Sequence, residues 1–194
     1  MSENCYQVEY IDETHQYLIN GVLVPSVTQL LHKKFGGMYD NIPPQILADK
    51  AKFGDMVHRS IECIEKDEER PMTTLYEELC VKQYLRLKDK YNINSIENEM
   101  LVHYEDKFAG RLDMIADVNY YRCLCDIKTT AKLNKEYLSW QLSLYELALE
   151  SMGYPKLEKL YCIWLPKKDL GQLVEVPRIN REELIKFVEE NTNE

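Results

Sequence analysis

Three consecutive stretches, Ile96 to Tyr104, Phe108 to Val118 and Arg122 to Lys128, share a period of two, with only Asp106-Lys107 and Asn119-Tyr120-Tyr121 as turns between them. A period of two is that of a strand, and turns this short fold each strand back on the one before, giving an antiparallel meander. The next segment, about Lys135 to Met152, is apolar over much of its circumference and ends at Gly153 and Pro155. A helix of that kind is buried on a sheet. Leu157 to Leu165 reads as a further strand, Val174 to Val176 as a short one, and Arg181 to Glu190 as an amphipathic helix.

Upstream, Tyr6 to Glu13 and His15 to Ile19 alternate, Asn20-Gly21 is a turn signal, and Val22-Leu23-Val24 resumes strand character. This predicts a small antiparallel hairpin. Ser26 is a good N-cap for a helix carrying Val27, Leu30 and Leu31, and Gly36-Gly37 breaks the chain. Pro43-Pro44 opens a helix to about Lys66 with Ile46, Leu47, Phe53, Val57 and Ile61 as its apolar stripe. Another runs from about Leu75 to Lys90 through Leu79, Tyr84, Leu85 and Leu87. The order predicts an α/β (α+β) fold: a central mixed sheet with an antiparallel meander, flanked by helices. The 194 residues suit one domain, with hairpin and helix over 1–35 and a core over 43–165.

Basic residues number 24 against 33 acidic, a net charge of −9. That argues against a generic nucleic-acid binder, which carries a basic excess. It leaves room for a site that spends carboxylates on a metal ion and meets a polyanion only through a local basic rim. The acidic stretch Glu62 to Glu78 reads as a solvated face. No apolar run reaches the ~18 residues of a membrane span. Met1-Ser2-Glu3-Asn4 has neither a basic start nor an apolar h-region, which predicts no signal peptide. Cysteines 5, 63, 80, 123, 125 and 162 have no CxxC spacing, so they predict reduced core thiols in a cytoplasmic protein rather than a zinc site.

Chemistry concentrates at Asp126-Ile127-Lys128. Residues i and i+2 of a strand share a face, so Asp126 and Lys128 sit side by side. Alone, that is an ion pair at a sheet edge. Asp113 lies mid-strand on the preceding stretch, and the 119–121 turn folds it back toward Asp126. Two adjacent carboxylates repel unless a proton or a cation lies between them, and Mg²⁺ takes such oxygens. A neighbouring lysine adds a point charge for a phosphate. Such a set suits phosphodiester hydrolysis, in which a metal activates water and polarises a phosphoryl oxygen. His58 lies inside a helix with Glu62 at i+4, which alone reads as a surface pair. Glu99 alone reads as an exposed strand residue, and Gln141 as a buried amide with a local hydrogen bond.

Together these pieces resemble the RecB-type branch of the PD-(D/E)XK nuclease superfamily from about His58 to Tyr145. The matching motifs, in order, are Gly54-x-x-x-His58, a strand glutamate at Glu99 (or Glu97), Gly110-x-x-Asp113, Asp126-Ile127-Lys128-Thr129 and Gln141-x-x-x-Tyr145. Tyr17 to Gly21 with Val24 to Thr28 also resembles phage and prophage exonucleases of that superfamily. The resemblance implies a restriction-endonuclease-like core that hydrolyses DNA with Mg²⁺ or Mn²⁺. It implies metal ligation by Asp113, Asp126, the Ile127 backbone carbonyl and His58. Lys128 would position or activate the water, Glu99 bind metal or order water, and Gln141 and Tyr145 orient Lys128 or touch the DNA. Attack would leave a 5′-phosphate and a 3′-hydroxyl.

Relatives with an iron–sulfur cluster use one cysteine before the core and three after it. Here Cys5 precedes it and only Cys162 follows, so no cluster is expected. Lys132 and Lys135 are the expected basic rim, with Lys33, Lys34, Lys167 and Lys168 as additions. The expected activity is a DNA exonuclease of recombination or repair type. Its expected partners are DNA, a second copy of the chain and a single-strand annealing protein. A structure-specific or restriction-like endonuclease and a non-catalytic DNA-end-binding module are the alternatives. No helix-turn-helix is legible, which weighs against sequence-specific cutting.

Overall fold

The computed structural model describes residues 6–37 and 42–192. Cys5 lies outside them. The N-terminal strands β1 (Val8–Ile11), β2 (Gln16–Ile19) and β3 (Val22–Val24) form a three-stranded antiparallel sheet. Asn20 and Gly21 both take positive φ in the turn that sends β3 back along β2. Helix α1 (Val27–Phe35) starts at Ser26, whose hydroxyl accepts from the Gln29 amide while the Gln29 side chain accepts from the Ser26 amide. That reciprocal cap satisfies two donors at the helix start.

Helices α2 (Pro44–Glu65) and α3 (Leu75–Tyr91) follow, and Asn92 ends α3 in a left-handed conformation that leads straight into β4 (Ile93–Tyr104). Strands β5 (Phe108–Val118) and β6 (Tyr121–Lys128) complete the meander. Helix α4 (Lys135–Ser151) then crosses over, so β7 (Lys159–Trp164) pairs parallel to β6. β8 (Gln172–Glu175) adds antiparallel, and α5 (Arg181–Thr192) closes the chain. The main sheet has the order β4-β5-β6-β7-β8.

The two faces of this sheet carry separate cores. Leu112, Ile115, Leu124 and Cys162 face α1, α4 and α5. Met114, Ala116, Cys123, Cys125 and Ile127 face Phe53, Val57 and Ile61 of α2 and Cys80 and Tyr84 of α3. Every residue of α4 from Leu138 to Leu149 is buried, which is why its sequence is apolar nearly all round. The fold is mixed α+β, as the alternation of periods predicts. Cys63, Cys80, Cys123, Cys125 and Cys162 are free and buried. Among the described residues no helix is long and apolar enough to cross a membrane.

Candidate metal-dependent active site

The site lies where two paired strands separate. Strands β5 and β6 pair residue by residue from Val118–Tyr121 to Met114–Cys125 and no further. At the next position the Asp113 carboxylate takes over, its Oδ2 accepting from the Ile127 amide at 2.6 Å. The sheet also changes face here, since Leu112 packs with α4 while Met114 packs with α2 and α3. Across the β4–β5 pair, Asn98 faces Met114 and Met100 faces Leu112, and Glu99 between them has φ +52°. A left-handed glutamate within a strand is strained backbone, held by its surroundings.

Helix α2 supplies His58 from one side. Its Nε2 lies 2.9 Å from the Ile127 carbonyl oxygen. Its Nδ1 lies 3.5 Å from Asp113 Oδ1 and 4.0 Å from Glu99 Oε1. Ligand atoms of His58, Glu99 and Asp113 all fall within 4.8 Å of one another. Asp126 and Lys128 share the other face of β6. Lys128 Nζ sits 2.8 Å from Asp126 Oδ1 and 2.7 Å from Oδ2, but only Oδ1 accepts a hydrogen bond; Oδ2 is buried without one. Oδ2 is thus charge-paired with Lys128 but accepts no hydrogen bond, which leaves lone-pair capacity for a second cation. Imidazole nitrogen, carboxylate oxygens and a backbone carbonyl in one place therefore fit a divalent ion.

The electrostatics follow from crowding. Burial disfavours the imidazolium of His58, but the Asp113 carboxylate outweighs it and pushes His58 up to about 9. Burial likewise raises Asp113, and the His58 and Lys128 charges with the Ile127 amide bring it below the usual range. Asp126 goes the other way: burial and the charge of Asp113 raise it, against the pull of Lys128. Burial and Asp113 raise Glu99 to about 7, although Arg111 and His58 oppose them. Lys128 is held charged, because Asp126 and Asp113 overcome its burial. One site thus holds carboxylates driven in opposite directions, the signature of charges packed closer than water would tolerate.

Gln141 and Tyr145 come from α4. Tyr145 is raised chiefly by burial and next by the charges of Asp113 and Asp126. Gln141 is buried and its Oε1 has no hydrogen-bond partner, unlike the locally satisfied amide its sequence position alone suggests. The Tyr145 ring lies across Gly110, where an added Cβ would meet Tyr145 Cε1 at 2.8 Å and Val27 Cγ2 at 3.1 Å. The glycine three residues before Asp113 is therefore a packing requirement.

Other expected residues fall outside the cluster. Glu97 is exposed, and neither it nor the expected ligand Asp126 is in the group formed by His58, Glu99 and Asp113; Asp126 is turned to Lys128 instead. Glu62 does not pair with His58 but takes Arg59 and Lys66 at 2.8 and 2.6 Å. Lys132 and Lys135 are exposed on the segment after β6. Lys33 donates to the Asn191 carbonyl, and Lys34 lies 3.6 Å over the Trp140 ring, so both serve packing between α1 and the helices beside it. Sequence reasoning missed Arg111, whose Nε lies 2.8 Å from Glu99 Oε2 and whose guanidinium lies 5.0 Å from the Tyr10 ring centre. Its signal was present: Arg111 is two residues before Asp113 on a strand.

No curated protein matches the sequence. Among solved structures, the crystal structure of SSO0001 is similar with a TM-score of 0.48 at 18% identity, covering 86% of this chain and 73% of that one. The family model of the PD-(D/E)XK nuclease superfamily matches residues 29–194, which includes α2, the five-stranded mixed sheet and every site residue above. The sheet and its flanking helices are consistent with a restriction-endonuclease-like core, and the chain belongs to the PD-(D/E)XK nuclease superfamily.

Proposed function

We propose that the chain, as a single catalytic domain, is a Mg²⁺- or Mn²⁺-dependent DNA exonuclease of phage or prophage recombination or repair type. The observation that carries the nuclease reading is the clustering of His58, Glu99 and Asp113, with His58 on the Ile127 carbonyl, Asp113 on the Ile127 amide, and the Asp126–Lys128 pair flanking that residue. Asp113, Asp126, His58 and the Ile127 carbonyl would hold the ion, with Glu99 as ligand or water-ordering group. When bound, the metal supplies an activated water and a polarised phosphoryl oxygen. Lys128 places its ammonium where charge grows on the phosphate. Gln141 and Tyr145 would orient Lys128 or touch the DNA. The exonuclease reading is supported by the resemblance of Tyr17 to Thr28 to phage exonucleases, and it carries with it a single-strand annealing protein and a second copy as partners.

The test is digestion of end-labelled linear DNA and covalently closed circular DNA with Mg²⁺. Loss of label from the linear form alone, stopped by EDTA and absent in Lys128→Ala, is the expected result. Cutting of the closed circle makes the enzyme an endonuclease. Full activity in Asp126→Ala would sink the site assignment.

A further inference from the structure

Beside the site, but outside its ligand set, lies a cavity of about 340 Å³ lined by Phe53, Thr129–Ala131 and Pro166, with Lys50, Lys167 and Lys168 as cations and Asp169 as the one carboxylate. It adjoins the catalytic strand directly. Thr129 follows Lys128, and the Leu165 amide, one residue before Pro166, donates to the Lys128 carbonyl at 2.7 Å. On α2, Gly54 lies one turn before His58 and faces Thr129, whose Oγ1 is 3.6 Å from where a Cβ would stand.

The loop that carries Lys167 and Lys168 is braced. Cys80 Sγ donates to the Leu165 carbonyl, Gln83 Nε2 to that of Pro166 at 3.1 Å, and Arg86 to that of Gly171 at 2.9 Å. A second groove, lined by Lys82, Arg86, Lys167 and Lys168 with Asp169 as an opposing carboxylate, continues from it across α3. On a chain of net charge −9 this gathering of cations is out of keeping with the rest of the surface. Phe53, packed in the core on the sheet and 8% exposed, lines the cavity, and Lys167 Nζ covers its ring at 3.5 Å from the centre.

We propose that this cavity holds one unstacked nucleobase of the substrate strand against the Phe53 ring, with adjacent phosphates on Lys50, Lys167 and Lys168. The proposal rests on the nuclease reading and adds a subsite to it. Aromatic rings accept any base face, and lysines along the groove track the backbone. Entry of the base moves the Lys167 ammonium from the ring to a phosphate, one favourable contact exchanged for two. Phe53 lies five residues before His58 on α2, about 7.5 Å along the axis. A stacked strand advances about 3.4 Å per nucleotide. The base held is therefore about one or two nucleotides from the bond cleaved, the lower number for an unstacked strand.

The experiment is a binding scan in EDTA, where hydrolysis is stopped. The probe is a labelled oligothymidylate of about 12 nucleotides, within the site size of single-strand grooves, carrying one abasic residue at each position in turn. The expected result is an about tenfold loss of affinity at one position, which Phe53→Leu reduces to about twofold. A flat profile overturns the proposal, as does a profile that folded Phe53→Leu leaves unchanged. A thermal melt establishes folding. Should Phe53→Leu not fold, Lys167→Glu decides: a lower salt slope, by about one or more, with a weakened abasic penalty supports the cavity, and an unaltered slope overturns it. Cleavage of linear DNA by the wild type is run in parallel. Cleavage with a flat profile leaves the nuclease reading standing and removes the subsite; a positional profile without cleavage does the reverse.

Discussion

Glu99 carries a φ of +52° inside a strand while its carboxylate meets Arg111 and approaches His58. An L side chain in that region costs about 1 kcal/mol, a cost glycine escapes. Replacing Glu99 by Gly and by Ala therefore gives an inverted order. In an ordinary strand Ala is the more stable; here Glu99→Gly should exceed Glu99→Ala by about 1 kcal/mol in denaturant unfolding of the metal-free protein. An Ala variant as stable as Gly would mean that the backbone relaxes there freely. Gly110 presents the opposite case, because the constraint is space. Its Cβ would stand 2.8 Å from the Tyr145 ring, so Gly110→Ala should cost about 1–3 kcal/mol and lower the melting temperature. Asp113, Asp126 and Lys128 were legible because a strand's period of two is written in the side chains. The left-handed turn at Glu99 was not, since nothing in a glutamate marks positive φ. The surface pair that His58 and Glu62 suggest when taken alone does not form: Glu62 has cations at both i−3 and i+4, and His58 turns to Asp113.

At the scale of elements, the active strand is fixed from three sides. The Pro25 carbonyl accepts from the Ala109 amide at 3.1 Å, which sets the start of α1 on β5, and Val27 then packs against Gly110. Helix α2 brings His58 to the point where β5 and β6 part, and α4 brings Tyr145 to the opposite face. The helix periods and the meander could be read from the sequence because burial imposes them. The edges could not. β4 begins at Ile93, where polar Asn94 and Ser95 hide a strand that nonetheless pairs with Asp117 and Ala116. The N-terminal strands were readable, because Asn20-Gly21 marks the tight turn, with positive φ at both positions, that lets Val22–Val24 pair with β2. The capping box that starts α1 lies next to the strand bearing Asp113. Ser26→Ala should therefore lower stability by about 1 kcal/mol and leave cleavage by the residual folded protein intact. A fall in activity beyond the loss of folded protein would show that the cap also sets the position of β5.

At the scale of the molecule, the site concentrates negative charge on a chain already acidic, so folding and metal binding are linked. An ion that binds only the native state adds about 2.7 kcal/mol at a hundredfold excess over its dissociation constant. For a chain of this length each kcal/mol moves the melting temperature by about 2–4 °C, so saturating Mg²⁺ or Mn²⁺ should raise it by about 5–10 °C. The two halves of the Asp126-Ile127-Lys128 triplet should then separate. Asp126→Asn removes charge from the buried carboxylate whose Oδ2 lacks a hydrogen bond, and should abolish most of the metal-induced rise. Lys128→Ala removes a cation that repels the metal and donates only to Asp126, so the rise should persist or grow. Cleavage should nonetheless fall by about 10²–10⁴-fold, the range for losing a charge-stabilising or proton-handling group. Melting curves of wild type and both variants, with and without metal, distinguish these outcomes without any substrate. A rise lost equally in both variants would place Lys128 among the groups that organise the ligands, and its role in stabilising the phosphate would have to be given up.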